Sequence, residues 1–431
     1  MTVLPSTLAD WLDYIERQHP QNIALGLDRV REVAERMGLT QPAEKTIVVG
    51  GTNGKGSTVA FLDSIARAAG RRTATYTSPH LLRYNERVRI DGHEVDDASL
   101  VHAFEAVEAG RGETPLTYFE YGTLAALWLF ERQHLDLAIL EVGLGGRLDA
   151  VNIVDADVAV ITTVDLDHQD WLGNDREAIG AEKAGIARAW KPLVIGDDDP
   201  PSSVLGQAYR IGASAIRANC DFFFQADDEG VWHWREVGYD IDLPMPALAA
   251  PVQLRNAAVA IAALRALDLP LSREAIAQGV REARVPGRLQ RFERDGVEIV
   301  LDVGHNPQAA RALGEWLAAA PVSGRTLAVY AALGDKDAAG VVEALAPRVD
   351  GWFLAGLEAA GARGVPVDMF AERLHGTAAA DGARHATVEQ ALDAARKAAR
   401  AGDRVLVFGS FHTVAAAMTA LGSEEGGGRG L

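Results

Sequence analysis

The stretch that decides the fold is TIVVGGTNGKGSTVAFLDSIARAAG, residues 46–70. Its opening, Thr46–Val49, is β-branched and apolar and predicts a buried strand. A glycine-rich loop follows, and the residues from Ser57 to Ala69 predict a helix that ends at Gly70. A strand, a glycine loop and a helix in this order direct backbone N–H groups and a helix N-terminus at one point, which is an arrangement that binds phosphate. We therefore expect a triphosphate site, with Lys55 on the β- and γ-phosphates.

The loop departs from the common GxxxxGK[ST] pattern at two positions. Val49 stands where the first glycine is expected, and Gly56 stands where a hydroxyl residue normally binds magnesium. Since glycine has no side-chain oxygen, a magnesium ion must find its oxygen ligands elsewhere.

Three residues further along the chain are candidates for this role. Ser78 follows a predicted strand, Thr73–Tyr76, while Glu141 ends a second strand and His168 follows a third, Val158–Val164. Ligands of open α/β sheets collect at the carboxyl ends of the strands, so these side chains are expected at one edge. Each also has a structural interpretation, as a turn residue, a strand-end acid or a surface histidine.

The remaining pattern predicts two α/β domains. Residues 1–286 are expected to form a P-loop NTPase-like domain whose mostly parallel sheet is flanked by helices, with two short helices before the core. A hairpin, Cys220–Gln225 with Val231–Arg235, is predicted around Asp228-Glu229-Gly230. After the turn at Val285–Arg288, residues 287–423 predict a smaller Rossmann-like domain, and 424–431 a disordered tail. Four strands are predicted in this second domain: Glu298–Val303, Thr326–Tyr330, Trp352–Leu354 and Val405–Phe408.

Composition narrows the class of protein. The 431 residues carry a net charge of -18, which argues against a broad nucleic-acid surface. A single cysteine, Cys220, fits a reducing compartment, and neither a leader nor an apolar run long enough for a membrane span is apparent. We expect a cytoplasmic protein without a nucleic-acid or membrane partner.

Several strings together resemble the bifunctional dihydrofolate synthase/folylpolyglutamate synthase family of the Mur ligase superfamily. They cover nearly the whole chain in family order: Thr52–Ser57, Thr77–Leu81, Thr117–Thr123, Glu141–Ala150, Asp167-His168, Glu182–Ile186, Pro286–Arg288, Asp302–Pro307 and Gly409–Thr413. Ala331 and Gly304 depart from residues common in that family.

The resemblance implies an ATP-dependent ligase of folate biosynthesis. Such an enzyme adds L-glutamate to dihydropteroate and to tetrahydrofolate polyglutamates through an acyl phosphate, acts as a monomer and uses two magnesium ions. The implied ATP-binding residues are Thr52, Asn53, Gly54, Lys55, Gly56, Ser57, Asn256, Arg288 and Asp302. The implied metal ligands are Ser78, Glu141 and His168, which agrees with the argument from Gly56.

The resemblance also implies residues for catalysis and for the pteroate. Lys55, Lys183 and His305 are the candidate catalytic residues: Lys183 would be carbamylated, and His305 would orient or deprotonate the incoming amine unless it is structural. The implied pteroate contacts are Leu25, Gly26, Leu27, Thr117, Tyr118, Phe119, Glu120, Leu148, Asp149 and Ala150. For Tyr118 and Phe119, core packing is the alternative.

Three other functions compete with this interpretation. A monofunctional folylpolyglutamate synthase would carry the same strings. A ligase acting on a UDP-linked sugar needs a further domain before the loop, yet only about 50 residues precede Gly51. A nucleotide-binding module without ligase activity would not need the acidic and histidine residues downstream.

Overall fold

The deciding segment folds as strand β1 (Lys45–Gly50), a loop and helix α3 (Lys55–Ala68) in the computed structural model, which describes residues 4–19, 24–227 and 230–425. Three residues of β1, Ile47 to Val49, are fully buried, because parallel strands are covered on both faces. The helix begins at Lys55 and not at the predicted Ser57, since Gly54 takes a left-handed conformation (φ 87°) that ends the loop there.

The chain folds into two compact units. Unit 1 comprises Met1–Ala247 and Gln253–Arg284, and unit 2 comprises Leu248–Val252 and Val285–Leu431. Each has its own hydrophobic core. The predicted class, two α/β domains of which the larger has a mostly parallel sheet, is confirmed.

Unit 1 contains, besides β1 and α3, nine helices and ten strands among its described residues. The helices are α1 (Leu8–Glu16), α2 (Asp28–Met37), α4 (Asp97–Arg111), α5 (Tyr118–Glu131), α6 (Gln169–Leu172), α7 (Arg176–Ala184), α8 (Ser202–Ile211), α9 (Val252–Ala266) and α10 (Arg273–Glu282). The strands are β2 (Thr73–Tyr76), β3 (Val88–Ile90), β4 (His93–Glu94), β5 (Leu137–Glu141), β6 (Val158–Ile161), β7 (Pro192–Ile195), β8 (Ser214–Arg217), β9 (Phe222–Ala226), β10 (Val231–Glu236) and β11 (Tyr239–Pro244).

The large sheet places β1 at its centre. The strand order is β4-β3-β2-β5-β1-β6-β7-β8, and β1 pairs in parallel with both β5 and β6. The chain leaves β1 towards β2 on one side and leaves β6 towards β7 on the other. The loops after β1 and β6 therefore diverge, and this switch point is where ligands of open α/β sheets bind.

The sequence patterns missed or misplaced several elements of unit 1. The edge strands β3 and β4 are antiparallel, and helix α4 follows them. The predicted hairpin is part of a three-stranded antiparallel sheet in which β9 begins at Phe222, after Cys220. Two residues of its predicted turn, Asp228 and Glu229, lie outside the described residues. Strand β6 stops at Ile161, because the residues that follow it turn towards the loop after β1.

Unit 2 has a six-stranded sheet of order β12-β13-β17-β14-β15-β16. Only the edge pair β12–β13 is antiparallel. Its elements are β12 (Gln290–Arg294), β13 (Val297–Asp302), α11 (Pro307–Ala319), β14 (Thr326–Tyr330), α12 (Ala338–Leu345), β15 (Gly351–Ala355), α13 (Val367–Glu372), β16 (Ala383–His385), α14 (Val388–Ala398), β17 (Arg404–Phe408) and α15 (Phe411–Glu425). The four predicted strands of this domain are present. The predicted tail begins inside α15, and residues 426–431 lie outside the described part.

Within the described ranges, every helix is too short or too polar to cross a membrane.

Candidate active site

The loop between β1 and α3 can be formed only with glycine at two positions. Gly51 has φ 144°, and a Cβ there would lie 1.9 Å from Thr162 Oγ1. Gly54 has φ 87°, and a Cβ there would lie 2.6 Å from Asn256 Oδ1. Both distances are far below contact, so the loop is shaped by its neighbours as well as by its own backbone.

Two threonines after β6 hold the loop in place. Thr162 Oγ1 donates to the Asn53 carbonyl at 2.6 Å, and the Asn53 N–H donates to Thr163 Oγ1 at 3.1 Å. The Thr52 N–H donates to the Thr163 carbonyl at 2.8 Å, and the Thr52 hydroxyl accepts the Asp165 N–H at 3.0 Å. These bonds fix the loop without a ligand, so little reorganisation is needed on binding. Thr162 and Thr163 were not among the predicted residues, although two threonines at the end of a buried strand on the same edge were a visible signal.

Lys55 lies over the loop. Its ammonium donates to the carbonyls of Gly51 at 3.0 Å and Thr52 at 3.2 Å. A cation in this place faces the position where loop N–H groups converge on a phosphate.

The three predicted metal ligands come from strand ends at the same edge of the sheet. The Ser78 N–H donates to Glu141 Oε2 at 3.3 Å, which joins the loops after β2 and β5. A Cβ on Gly56 would lie 3.7 Å from that same oxygen. The Glu141 carboxylate thus lies close to position 56, where loops of the common pattern carry a hydroxyl side chain. His168 has a left-handed backbone (φ 52°) at the start of α6, on the loop after β6.

Two of these three donors, the Ser78 hydroxyl and the Glu141 carboxylate, fit a hard divalent cation. A carboxylate and a hydroxyl offer oxygen ligands, which magnesium and manganese prefer. Across the described part of the chain, no three or more His, Cys, Asp and Glu side chains form a ready metal cluster. The assignment of Ser78, Glu141 and His168 to a metal stays a prediction.

Lys183, on α7, is a buried lysine with a weakened charge. Burial and the nearby Lys55 cation together lower its pKa to about 7, while Asp167 and Asp149 oppose the change. The neutral form of the Lys183 amine is therefore far more accessible at neutral pH than that of an exposed lysine. A neutral amine is the form that reacts with an electrophile such as carbon dioxide.

A backbone hydrogen bond joins two of the three predicted pteroate segments. The Gly26 N–H donates to the Leu148 carbonyl at 3.4 Å, which joins the segment of residues 25–27 to that of residues 148–150. Asp149 accepts N–H groups from Leu144 and Val151, and burial raises its pKa to about 7, so its carboxyl can hold a proton. A buried carboxyl of this kind suits the donor and acceptor edge of a heterocycle.

The segment of residues 117–120 also stabilises the start of α5, which was not predicted. Thr117 and Glu120 form a capping box at the start of α5. Glu120 also accepts a hydrogen bond from Arg29 at 2.9 Å, and Arg29 donates to the Ala24 carbonyl. Arg29 thus ties the loop before α2 to the cap of α5. It was not among the predicted residues.

The two aromatic residues of this segment, Tyr118 and Phe119, pack against other side chains. The Phe119 ring is 5.8 Å from that of Tyr76, and a Cβ on Gly143 would lie 2.7 Å from it. Tyr118 meets the ring of Tyr84 edge-on at 5.9 Å. Both rings are partly buried against the core of unit 1, which is the alternative left open for them.

Asn256, on α9 in unit 1, has its amide fixed. Its Nδ2 donates to Gln253 Oε1 at 2.9 Å, and both side chains are buried. The amide oxygen consequently faces Gly54 of the loop.

In unit 2 the predicted residues gather where β13 ends. Asp302 accepts N–H groups from Gly304 at 2.7 Å and Leu289 at 3.0 Å. Burial raises its pKa, and the Arg288 cation opposes this. His305 Nδ1 lies 3.0 Å from the Val303 carbonyl, so Nδ1 carries a proton and Nε2 is the acceptor when the ring is neutral.

Comparisons with known proteins identify the family. The model of the Mur ligase middle domain matches residues 49–264, and that of the Mur ligase glutamate ligase domain matches residues 287–411. A dihydrofolate synthase/folylpolyglutamate synthase from Escherichia coli is 46% identical over 98% of either chain, and one from Haemophilus influenzae is 42% identical over 95% of this chain and 96% of its own.

Solved structures give the same result. The Escherichia coli protein in complex with DHPP and ADP superposes with a TM-score of 0.92 at 46% identity, covering 97% of this chain and 99% of that one. A bifunctional folylpolyglutamate synthase/dihydrofolate synthase with Mn, AMPPNP and L-glutamate bound has a TM-score of 0.90 at 48% identity, covering 97% and 98%.

Proposed function

This chain belongs to the dihydrofolate synthase/folylpolyglutamate synthase family of Mur ligases, and we propose that it joins L-glutamate to dihydropteroate and to tetrahydrofolate polyglutamates with cleavage of ATP. It is an ATP-dependent ligase that forms carbon–nitrogen bonds. The observation that carries the proposal is the preformed loop, with Lys55 above it and Glu141 beside Gly56. This arrangement supports a phosphate site at the loop and an oxygen ligand for its cation at Glu141.

In the first step, an oxygen of the substrate carboxylate attacks the γ-phosphorus of ATP. The bond from that phosphorus to the oxygen it shares with the β-phosphate breaks, which gives an acyl phosphate and ADP. Such a transfer depends on the alignment of the reacting groups and on neutralisation of the negative charge on the phosphoryl oxygens. Lys55 and the N–H groups of residues 52–57 have that task, and Asn256, Arg288 and Asp302 are proposed to bind the nucleotide.

A divalent cation would be held by Ser78, Glu141 and His168. When bound, it supplies positive charge against the phosphate oxygens and so lowers the repulsion that the incoming carboxylate meets. Relatives have been solved with Mn, and magnesium is the ion we propose for this chain.

Lys183 is proposed to be carbamylated. Its neutral amine would add to carbon dioxide and release a proton, which converts a cation into an anion next to Lys55. The lowered pKa supports this reaction, because an ordinary lysine is almost wholly protonated at neutral pH. The new carboxylate could hold a second magnesium ion.

In the second step, the amine of L-glutamate attacks the acyl carbon and phosphate leaves. The amine must first lose its ammonium proton, and we propose that His305 Nε2 accepts it or orients the amine. The hydrogen bond from Nδ1 to Val303 supports this role, because it leaves the lone pair on Nε2. Unit 2 is proposed to be the glutamate-ligating domain and unit 1 the ATP- and pteroate-binding domain.

The pteroate is proposed to lie against Leu25–Leu27, Thr117–Glu120 and Leu148–Ala150. The contact between Gly26 and Leu148 and the protonatable Asp149 support this location. The protein is further proposed to act as a cytoplasmic monomer on small molecules alone, which size-exclusion chromatography with light scattering and fractionation of cells would test.

The decisive experiment measures ADP release from purified protein with ATP and magnesium. Release that requires both L-glutamate and dihydropteroate supports the first activity, and release that requires both L-glutamate and tetrahydrofolate supports the second. Activity with tetrahydrofolate alone would identify a monofunctional folylpolyglutamate synthase. Release that is indifferent to every acceptor would overturn the ligase assignment.

A further inference from the structure

Arg87 is a buried cation that the mechanism above does not use. It ends a 3₁₀ turn, Tyr84–Arg87, and is only 8% exposed. Its Nε–H donates to His80 Nδ1 at 2.8 Å. Its guanidinium carbon lies 5.3 Å from the ring centre of Tyr84 and 5.6 Å from that of Tyr118. The side chain is therefore surrounded by an imidazole and aromatic faces.

The two tyrosines beside the guanidinium are neutral. Burial raises the pKa of Tyr84 well above its ordinary value and that of Tyr118 to about 12, against the opposing charge of Arg87, so both hydroxyls stay protonated. Within the described ranges, no carboxylate oxygen lies within 4.0 Å of an Arg87 nitrogen. The adjacent Glu86 is engaged with the backbone N–H groups of residues 81–83.

A buried guanidinium without an anion is costly, because cation–π contacts replace only part of its lost hydration. Arginine also carries five N–H donors in a planar fork, a shape that matches a carboxylate. Since Nε is engaged by His80, the Nη groups are the part of the fork that can meet an anion. The arrangement is that of a receptor for a carboxylate.

Arg87 lies between two parts of the proposed site. Its carbonyl accepts the Thr77 N–H at 2.9 Å, next to Ser78, whose own N–H binds Glu141. Its guanidinium lies over Tyr118, one of the proposed pteroate residues. A carboxylate at Arg87 would thus be close to the reacting end of the acceptor.

We propose that Arg87 binds the α-carboxylate of the glutamyl tail when a reduced folate is the acceptor. The inference rests on the proposed folate ligation. A pteroate has a single carboxylate, which must turn an oxygen towards the γ-phosphate. A folate has two on its terminal glutamate, so that one can react while the other is held by the guanidinium. Arg87 would then select the acceptors of the second activity.

The test compares tetrahydropteroate with tetrahydrofolate, two acceptors that differ only in the glutamyl tail. Steady-state rates are measured for the wild type, Arg87→Met and Arg87→Lys, with the acceptor varied and then with L-glutamate varied. Loss of a charge-assisted contact corresponds to about 10- to 100-fold in binding. We expect KM for tetrahydrofolate to rise by that factor in Arg87→Met, less in Arg87→Lys, and by far less for tetrahydropteroate.

Arg89→Met is the matched control, because Arg89 is more exposed and pairs with Glu94 on the neighbouring strand. Melting temperatures verify that all variants are folded. Equal losses with both acceptors, a rise in KM for L-glutamate alone, or no change would each overturn the proposal. Absence of ligation by the wild type would instead refute the proposed function.

Discussion

Replacement of Lys183 tests the most unusual element of the proposed chemistry. Its pKa of about 7 stands against an ordinary value of 10.5. This difference of about 3.5 makes the ratio of neutral to protonated amine roughly 3000-fold higher for Lys183 than for an exposed lysine. Because only the neutral amine adds carbon dioxide, Lys183 should become labelled by ¹³C-bicarbonate at pH 7 to 8, while exposed lysines such as Lys191 should not.

The assay compares labelling of Lys183 with the rate of ADP release. Lys183→Ala should lower ADP release by about 100-fold or more, and short carboxylic acids such as formate or acetate should restore part of the rate by replacing the carbamate. In the wild type, activity should fall as the pH drops below about 7, since protonation removes the reactive amine. Lys191→Ala is the control. Near-normal turnover of Lys183→Ala, or full activity of wild-type enzyme that carries no label after removal of carbon dioxide, would refute the reasoning.

The other predictions concern the loop and its cation. Lys55→Ala and Glu141→Ala should each abolish ADP formation at saturating magnesium with an unchanged circular dichroism spectrum; a near-normal rate in either would remove that residue from the mechanism. Gly51→Ala should weaken ATP binding in calorimetry and lower the free energy of unfolding by about 1–3 kcal/mol, because its Cβ would meet Thr162. Gly206→Ala, in the open interior of α8, should instead stabilise the protein by about 0.5–1 kcal/mol, and equal effects of the two glycine changes would contradict the steric argument.

Much of the fold followed from local patterns. The strands of residues 73–76 and 326–330 were predicted to the residue, because continuous β-branched and apolar runs are typical of strands buried on both faces. The antiparallel edge strands β3 and β4 were missed. They are short and carry polar residues, since an edge needs no continuous apolar run.

Part of the candidate site was likewise predicted from local sequence, and part is visible only in the folded structure. The loop residues and Lys55 were found because a phosphate loop is contiguous in sequence. Thr162, Thr163 and Arg29 were not, because their partners lie about 90 to 110 positions away in sequence and only the folded sheet brings them together. The roles given to Ser78, Glu141, His168, Lys183 and His305 stay predictions, of which those of Glu141 and Lys183 are tested by the variants above.

The sequence by itself determined that a triphosphate loop lies at the start of a two-domain α/β protein and that the loop lacks its usual metal-binding hydroxyl. The glycine at position 56 is read directly from the sequence, without knowledge of the fold. Only the tertiary structure decided what stands beside the loop: Glu141, whose carboxylate comes within 3.7 Å of a Cβ placed on Gly56, and the threonines after β6 that hold the loop. The physical reason is that β5 and β6 flank β1 in the sheet, so strand order, which local patterns do not encode, sets the neighbours of the phosphate loop.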